Sequence, residues 1–260
     1  MEDLTLRLTH HHIQQILKGR IQTEHNLTDL KPIVKKSSPA NVITSIDYTN
    51  AEINWWMKEA GMTTSDMVIN DIKSLESISY SNFEIEWKKD EQPKFVFEYY
   101  DDYGSRIGWK MYSPMHKKHE RKWRSGGIFE LGNYRNLPKS AKYLFINSGK
   151  KDMMVFFKHV LKEKYPCVYN PSESSIKQLL LRWDELKSRF PNIIYIGDTD
   201  HNEHQTGQRI ASKIETRLEI PTINFRFTGD TTKDITEEWK FCDGNMTNII
   251  YQLNSFINQY

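Results

Sequence analysis

Short apolar runs separated by polar turns and amphipathic stretches dominate the second half of the chain. Tyr143-Leu144-Phe145-Ile146 and Ile193-Ile194-Tyr195-Ile196 are rich in branched and aromatic residues, and each is followed by a polar turn and a helical pattern. That is the signature of parallel strands in an α/β layer. Between them, Met153, Met154, Phe156, Phe157, Val160 and Leu161 recur at helical spacing over Lys150 to Lys162, Cys167-Val168-Tyr169 reads as a strand, and a helix is predicted from about Ser174 to Phe190. Beyond them, helices are expected over Gln205 to Arg217 and Met246 to Ile257, with a strand at Ile223 to Phe227 and a loop from Gly229 to Glu237 that enters a further helix.

The first half has a different rhythm. Residues 1 to about 38 read as a helical start that ends in the linker Lys35-Lys36-Ser37-Ser38-Pro39, and three consecutive histidines, His10 to His12, splay around a helix as a solvated surface. Asn54 to Ala60 reads as a helix closed by Gly61 as C-cap, with Thr63 to Asp66 as the next N-cap region and Trp55 or Trp56 as core. Phe83 to Trp87 and Phe95 to Tyr99 alternate apolar and polar residues, and Asp101 to Ser105 turns the chain into Arg106 to Pro114. An antiparallel meander with one wet face follows. The expected organisation is an N-terminal segment, 1–45, a small α+β basic subdomain, 46–140, and a parallel α/β domain, 141–260.

Composition narrows the class. Over 260 residues, 38% hydrophobic and 27% charged content, with a mean hydropathy of −0.69, describe a polar globular chain with no apolar run long enough to span a bilayer and no signal-peptide core. A cytoplasmic protein with no membrane partner is expected. The formal charge of +2 is too mild to announce a nucleic-acid binder, but its distribution is informative. Lys110, Lys117, Lys118, Arg121, Lys122 and Arg124 cluster around Trp123, a combination that attracts phosphates and offers a ring to a base, although a solvated basic loop would read the same way. The two cysteines, Cys167 and Cys242, have no zinc-ligand spacing, so no zinc is expected, and no Gly-x-x-x-x-Gly-Lys-Ser/Thr motif announces a helicase motor.

Candidate chemistry sits where the parallel strands end. One end holds Ser148-Gly149-Lys150-Lys151-Asp152, where a helix N-terminus and two lysines favour phosphate; the other holds Asp198-Thr199-Asp200. Two aspartates at i and i+2 can aim at one hard cation, Mg²⁺ or Mn²⁺. Alternatively, Asp198 caps a turn and Asp200 is solvated.

These pieces resemble a known family. The order Ser148-Gly149-Lys150-Lys151-Asp152, Tyr165-Pro166-Cys167-Val168-Tyr169-Asn170-Pro171 and Asp198-Thr199-Asp200, with Gly207 and Arg209 behind, is similar to a Toprim domain. The preceding Trp109-Lys110-Met111-Tyr112-Ser113-Pro114, Lys122-Trp123 and Gly132-Asn133-Tyr134-Arg135-Asn136-Leu137-Pro138 extend the likeness to the catalytic core of phage-type DNA primases over about residues 50 to 255. The resemblance implies primer synthesis on single-stranded DNA from NTPs with Mg²⁺ or Mn²⁺, any zinc ribbon or replicative helicase coming from a separate chain. It implies catalytic roles for Ser148, Asp152, Asp198 and Asp200, a metal set of Asp198, Asp200 and Asp234, and phosphate contacts from Lys110, Lys122, Lys150, Lys151 and Lys233. The family places an acidic residue where this chain has Ser148, and its loop before Gly207 is shorter. Those departures imply a metal held more weakly or by a substitute ligand such as Glu203, and leave open a Toprim nuclease, with His201 to His204 as acid or base, or a nucleic-acid-binding or replisome-docking protein that keeps the fold.

Overall fold

The computed structural model describes residues 42–79, 92–117, 122–171, 176–199 and 206–259. The predicted N-terminal helix, the histidine tract and the strand at Phe83 to Trp87 lie outside them. All described residues belong to one compact unit, 40–260.

An antiparallel sheet comes first. Its strands are β1 (Val42–Ile46), β2 (Ile72–Ser79), β3 (Phe95–Tyr100), β4 (Arg106–Tyr112) and β5 (Trp123–Gly127), ordered β1-β2-β3-β4-β5. The meander was legible only at β3 and β4. β5 starts within what reads in sequence as a basic cluster, and Gly127 has a steric reason: a Cβ there would lie 2.3 Å from the Ile107 carbonyl oxygen.

Between β1 and β2 run helices α1 (Asn50–Ala60) and α2 (Thr64–Ile69). Each opens with a reciprocal capping box, Thr49 with Glu52 and Thr63 with Asp66; the Thr63 cap and the close of α1 on Gly61 at φ +62° are as the sequence predicts, while α1 starts four residues before the expected Asn54. Glu52 does more than cap. Fully buried, it also accepts hydrogen bonds from Ser74 Oγ (3.0 Å) and the Lys94 backbone N–H (3.4 Å), fastening α1 to β2 and the approach to β3.

The second sheet is parallel throughout. β6 (Tyr143–Asn147), β7 (Cys167–Tyr169), β8 (Asn192–Ile196) and β9 (Thr222–Ile223) are ordered β7-β6-β8-β9. The predicted strand at Ile223 to Phe227 is thus confined to its first residue, with Thr222 before it. α3 (Lys150–Val155) follows β6 and continues through a wider, π-helical turn, Phe156–Val160. The helix predicted up to Phe190 is two, α4 (Lys177–Leu181) and α5 (Trp183–Arg189), broken at Arg182. The guanidinium of Arg182 is held by Asp102 (2.9 Å) and Glu130 (3.2 Å). α6 (Thr206–Leu218), α7 (Ile235–Phe241) and α8 (Thr247–Ile257) complete the fold, which is α/β with helices flanking a parallel sheet.

The faces of β6 segregate cleanly. Leu144 and Ile146 join Val168, Ile193, Tyr195, Ile210 and Ile214 in one apolar cluster, covered by α4, α5 and α6. Tyr143 and Phe145 join the other, which runs from Ile194, Ile196 and Ile223 through Phe156 and Leu253 to Trp56, Phe95 and Tyr112 of the antiparallel half. That shared core locks the two sheets together. It is reinforced where Gly132 and Tyr169 exchange backbone hydrogen bonds of 2.9 and 3.1 Å. Trp56 anchors it, wholly buried, with ring centroids 5.0 Å from Trp55 and 5.5 Å from Phe95. Trp56→Ala is expected to cost about 3–5 kcal/mol in urea unfolding; a loss below about 1 kcal/mol would show that the interface tolerates the cavity.

Candidate functional site

Both sheets contribute to one cleft at the C-terminal end of β6. Its lining includes Phe97, Lys110, Tyr112, Lys122 and Trp123 from the antiparallel half. From the parallel half come Ser148, Gly149, Lys150, Lys151, Asp152, Tyr169, Asn170, Lys233 and Asp234. Residues separated by more than a hundred positions meet here because β4 and β5 lie across the mouth of the parallel sheet.

The acidic residues arrive from three junctions. Past the last residue of β8, the N–H groups of Gly197 and Thr199 donate to the carbonyls of Ile223 (3.1 Å) and Lys233 (2.9 Å). The second of those bonds brings the Asp198 turn beside the Lys233-Asp234 pair. Asp198 Oδ1 accepts from Ser148 Oγ at 2.5 Å, which ties the ends of β6 and β8 together. Asp234 is the N-cap of α7, its carboxylate accepting from the Glu237 N–H at 2.8 Å. Asp152, in the first turn of α3, reaches the same helix: its Oδ1 accepts from Thr236 Oγ1 (2.6 Å) and Thr236 N–H (3.2 Å).

Charge is unevenly balanced in this cleft. Burial, then the carboxylates of Asp234 and Asp198, push the Asp152 carboxyl well above its usual range, although Lys151 and the bond from Thr236 pull the other way. Burial by itself would lower the Lys151 ammonium, but Asp234 and Asp152 outweigh it and raise the group. Lys122 is lowered, first by burial and then by Lys151 and Lys233. Three carboxylates and several ammoniums therefore feel one another across the cleft, an arrangement suited to polyanions accompanied by a cation.

Among the described residues that line the cleft the available side-chain donors to a cation are oxygens rather than sulfur or imidazole, the chemistry that Mg²⁺ or Mn²⁺ prefers. Burial raises Asp152 first and the carboxylates of Asp234 and Asp198 add to it, and a divalent ion would offset that repulsion. Among the described residues, however, no three His, Cys, Asp or Glu side chains stand close enough together to hold a metal. Asp200, the expected third ligand, lies outside the described residues, as do Lys118, Arg121, Glu203 and His201 to His204.

The expected phosphate-binding residues divide. Lys110, Lys122, Lys151 and Lys233 line the cleft. Lys150 also lines it but turns inward, its Nζ 3.4 Å from the Asp71 carbonyl oxygen and 4.7 Å from the Phe97 ring centroid. Burial brings that ammonium down to about 8. Lys117 is exposed and Arg124 half-buried on β5, and neither lines the cleft. Trp123 is 42% exposed, with its ring stacked on Tyr112 at 4.2 Å and Lys110 Nζ 4.5 Å from its centroid, so a base would meet an indole already engaged by both. Phe97, Tyr112, Tyr169 and Asn170 were not expected in the site. The sequence signal for the last two was present in the Cys-Val-Tyr-Asn-Pro strand end.

Asp152→Asn keeps an oxygen to accept from Thr236 while removing one of the repelling charges. The folded-state pKa of Asp152 is raised, so ionisation costs the wild type stability as pH rises above the unfolded value of about 3.9. In metal-free buffer the variant is expected to melt at higher temperature at pH 7.5, with the gain shrinking towards pH 4. A gain independent of pH would show that the carboxyl is not strained.

No family model and no curated protein matches the sequence. Solved structures do. The primase fragment of the bacteriophage T7 primase-helicase is similar at a TM-score of 0.54 and 15% identity, over 75% of this chain and 72% of that one. The T7 primase domains solved with the lagging-strand DNA polymerase and an RNA/DNA hybrid give 0.53 at 14% identity, over 82% and 91%. The DnaG catalytic core gives 0.53 at 10% identity, over 78% and 71%. At such identities the likeness is one of architecture, and that architecture is the fold of primase catalytic cores.

Proposed function

We propose that this chain is a primase-type nucleotidyltransferase with a Toprim-like site, condensing NTPs into short RNA primers on single-stranded DNA with Mg²⁺ or Mn²⁺. The observation that carries the reading is the meeting of Asp152 and Asp234 with Lys110, Lys122, Lys151 and Lys233 around one cleft, with Asp198 close enough to raise Asp152. The fold shared with primase cores supports it.

Asp198 and Asp234 would hold the cation, together with Asp200. Bound there, it would supply Lewis-acid stabilisation of charge on the nucleotide phosphates. The chain's own residues do the rest. Lys151, kept protonated by Asp234 and Asp152, and Lys110, Lys122 and Lys233 at the rim neutralise the triphosphate, so that the 3′-hydroxyl attacks the α-phosphate as the bond to the β-phosphate breaks and pyrophosphate leaves, with little reorganisation. Ser148 contributes a hydroxyl that orients the Asp198 carboxylate where the resembling family places an acid.

Ser148 also favours a second reading. With one carboxylate fewer, the same cleft serves a protein that binds single strands without extending them. Incubation with single-stranded DNA, labelled NTPs and Mg²⁺ or Mn²⁺ separates the two. Oligoribonucleotides are expected, falling about 10²-fold or more in Asp198→Ala and in Asp234→Asn, the latter preserving an N-cap. Undiminished synthesis by Asp198→Ala would remove this site from the reaction. Absence of product, with strand binding that weakens steeply with salt, would establish the second reading; Lys122→Ala is then expected to reduce the salt slope by about 1.

A further inference from the structure

A second cavity adjoins the cleft and is the larger of the two, about 280 Å³ against about 160 Å³. Tyr99, Lys150 and Tyr169 line both, so these three side chains form the partition between them. The other walls come from Glu98 to Tyr100 of β3, the turn Gly132 to Asn136, and Arg182 at the break between α4 and α5. Met153 of α3 also lines the cavity, whereas Lys110, Lys122, Lys151 and Asp234 line the cleft alone.

The charges around this cavity do not cancel. Glu98 is paired with Lys73 and Arg106, while Asp102 and Glu130 both hold the Arg182 guanidinium. Arg135 and Lys150 form no ion pair with any described residue: the guanidinium lies over the Tyr100 ring, and Lys150 Nζ donates to the Asp71 carbonyl oxygen at 3.4 Å. The remaining carboxylate, that of Asp71, is exposed and acts on Lys150 from beyond ion-pair distance. Lys150 is buried, and burial lowers its ammonium more than Asp71 and Glu98 restore it; an anion beside it would add to that restoring side. Two cations without carboxylate partners, set among the rings of Tyr99, Tyr100, Tyr134 and Tyr169, match a flat body that carries negative charge.

We propose that this cavity is a binding site, separate from the cleft, for a small aromatic phosphate monoester, with Arg135 and Lys150 as partners of the phosphate and the tyrosine rings around the planar body. A guanidinium takes two phosphate oxygens in one plane, and an ammonium serves as a point charge beside them. The volume is at the small end for ligand sites, which suits one or two fused rings with a single phosphate rather than a triphosphate chain. An occupant would bear on Lys150 and Met153, and so on the helix whose first turn carries Lys151 and Asp152 into the cleft. The proposal depends neither on a metal nor on primer synthesis.

The test is equilibrium dialysis of 4-methylumbelliferyl phosphate against the full chain, in chelator so that no metal-dependent contact in the cleft contributes. About one saturable equivalent is expected, and 4-methylumbelliferone, which lacks the phosphate, should bind about tenfold more weakly. Arg135 is exposed and lines this cavity but not the cleft, so Arg135→Ala should fold as the wild type does and lose about tenfold in affinity, the scale of one charge-assisted hydrogen bond. Lys122 lines the cleft but not this cavity, and Lys122→Ala should bind the probe unchanged. The proposal is overturned by absence of saturable uptake in the wild type, by equal affinity for the two coumarins, or by an Arg135→Ala variant that binds as tightly as the wild type. Weakening by Lys122→Ala with Arg135→Ala unaffected would put the probe in the cleft and overturn it as well.

Discussion

Parallel strands all leave their C-terminal ends at one edge of a sheet, and the chain gathers its charges there. β6 ends at Ser148 and β8 runs out to Asp198, so the hydroxyl of one reaches the carboxylate of the other directly. The Lys233 carbonyl, by accepting from Thr199, adds a third segment and sets Asp234 at the head of α7. Three like charges brought together by backbone geometry must be offset, and Lys151 is the resident group that does so most directly. Burial of Asp152 against that field is the local cost of the arrangement.

The antiparallel sheet depends on the same edge. Its apolar face merges with the core over β6 and β8, through Phe95, Phe97 and Tyr112 on one side and Phe145, Met153 and Phe156 on the other. Because the core is continuous, β4 and β5 are held over the cleft rather than tethered beside it. Lys110 and Lys122 thereby face carboxylates that they could never meet within their own sheet. Tyr112 and Trp123, directly paired across β4 and β5, hold those lysines over their rings at 4.5 and 5.6 Å.

Periodicity made the parallel half legible. The runs that became β6, β7 and β8 are short, apolar and bounded by turns, and buried strands have no other way to look. The caps at Gly61 and Thr63 were equally clear, because they act through their own backbone neighbours, whereas the Thr49 cap, four residues before the expected helix, was not read. Misreadings fell where a tertiary partner decides. The single helix expected up to Phe190 is two, and Arg182 at the break is paired with Asp102, eighty residues away in sequence. β5, with Ser and two glycines, carries no strand pattern of its own and exists because β4 lies beside it.

Local sequence alone determined the strands of the parallel layer, the helix boundaries set by capping, and the candidacy of Asp198 and of the basic residues around Trp123. These depend on side-chain period and on hydrogen bonds spanning three or four residues. Only the tertiary structure decided which charges share a cleft, that Lys150 turns inward while Asp234 acts on Lys151, and that Asn147 is buried with its amide unpaired. Burial and long-range electrostatics are properties of neighbours in space, and a sequence does not state those neighbours until the sheets have packed.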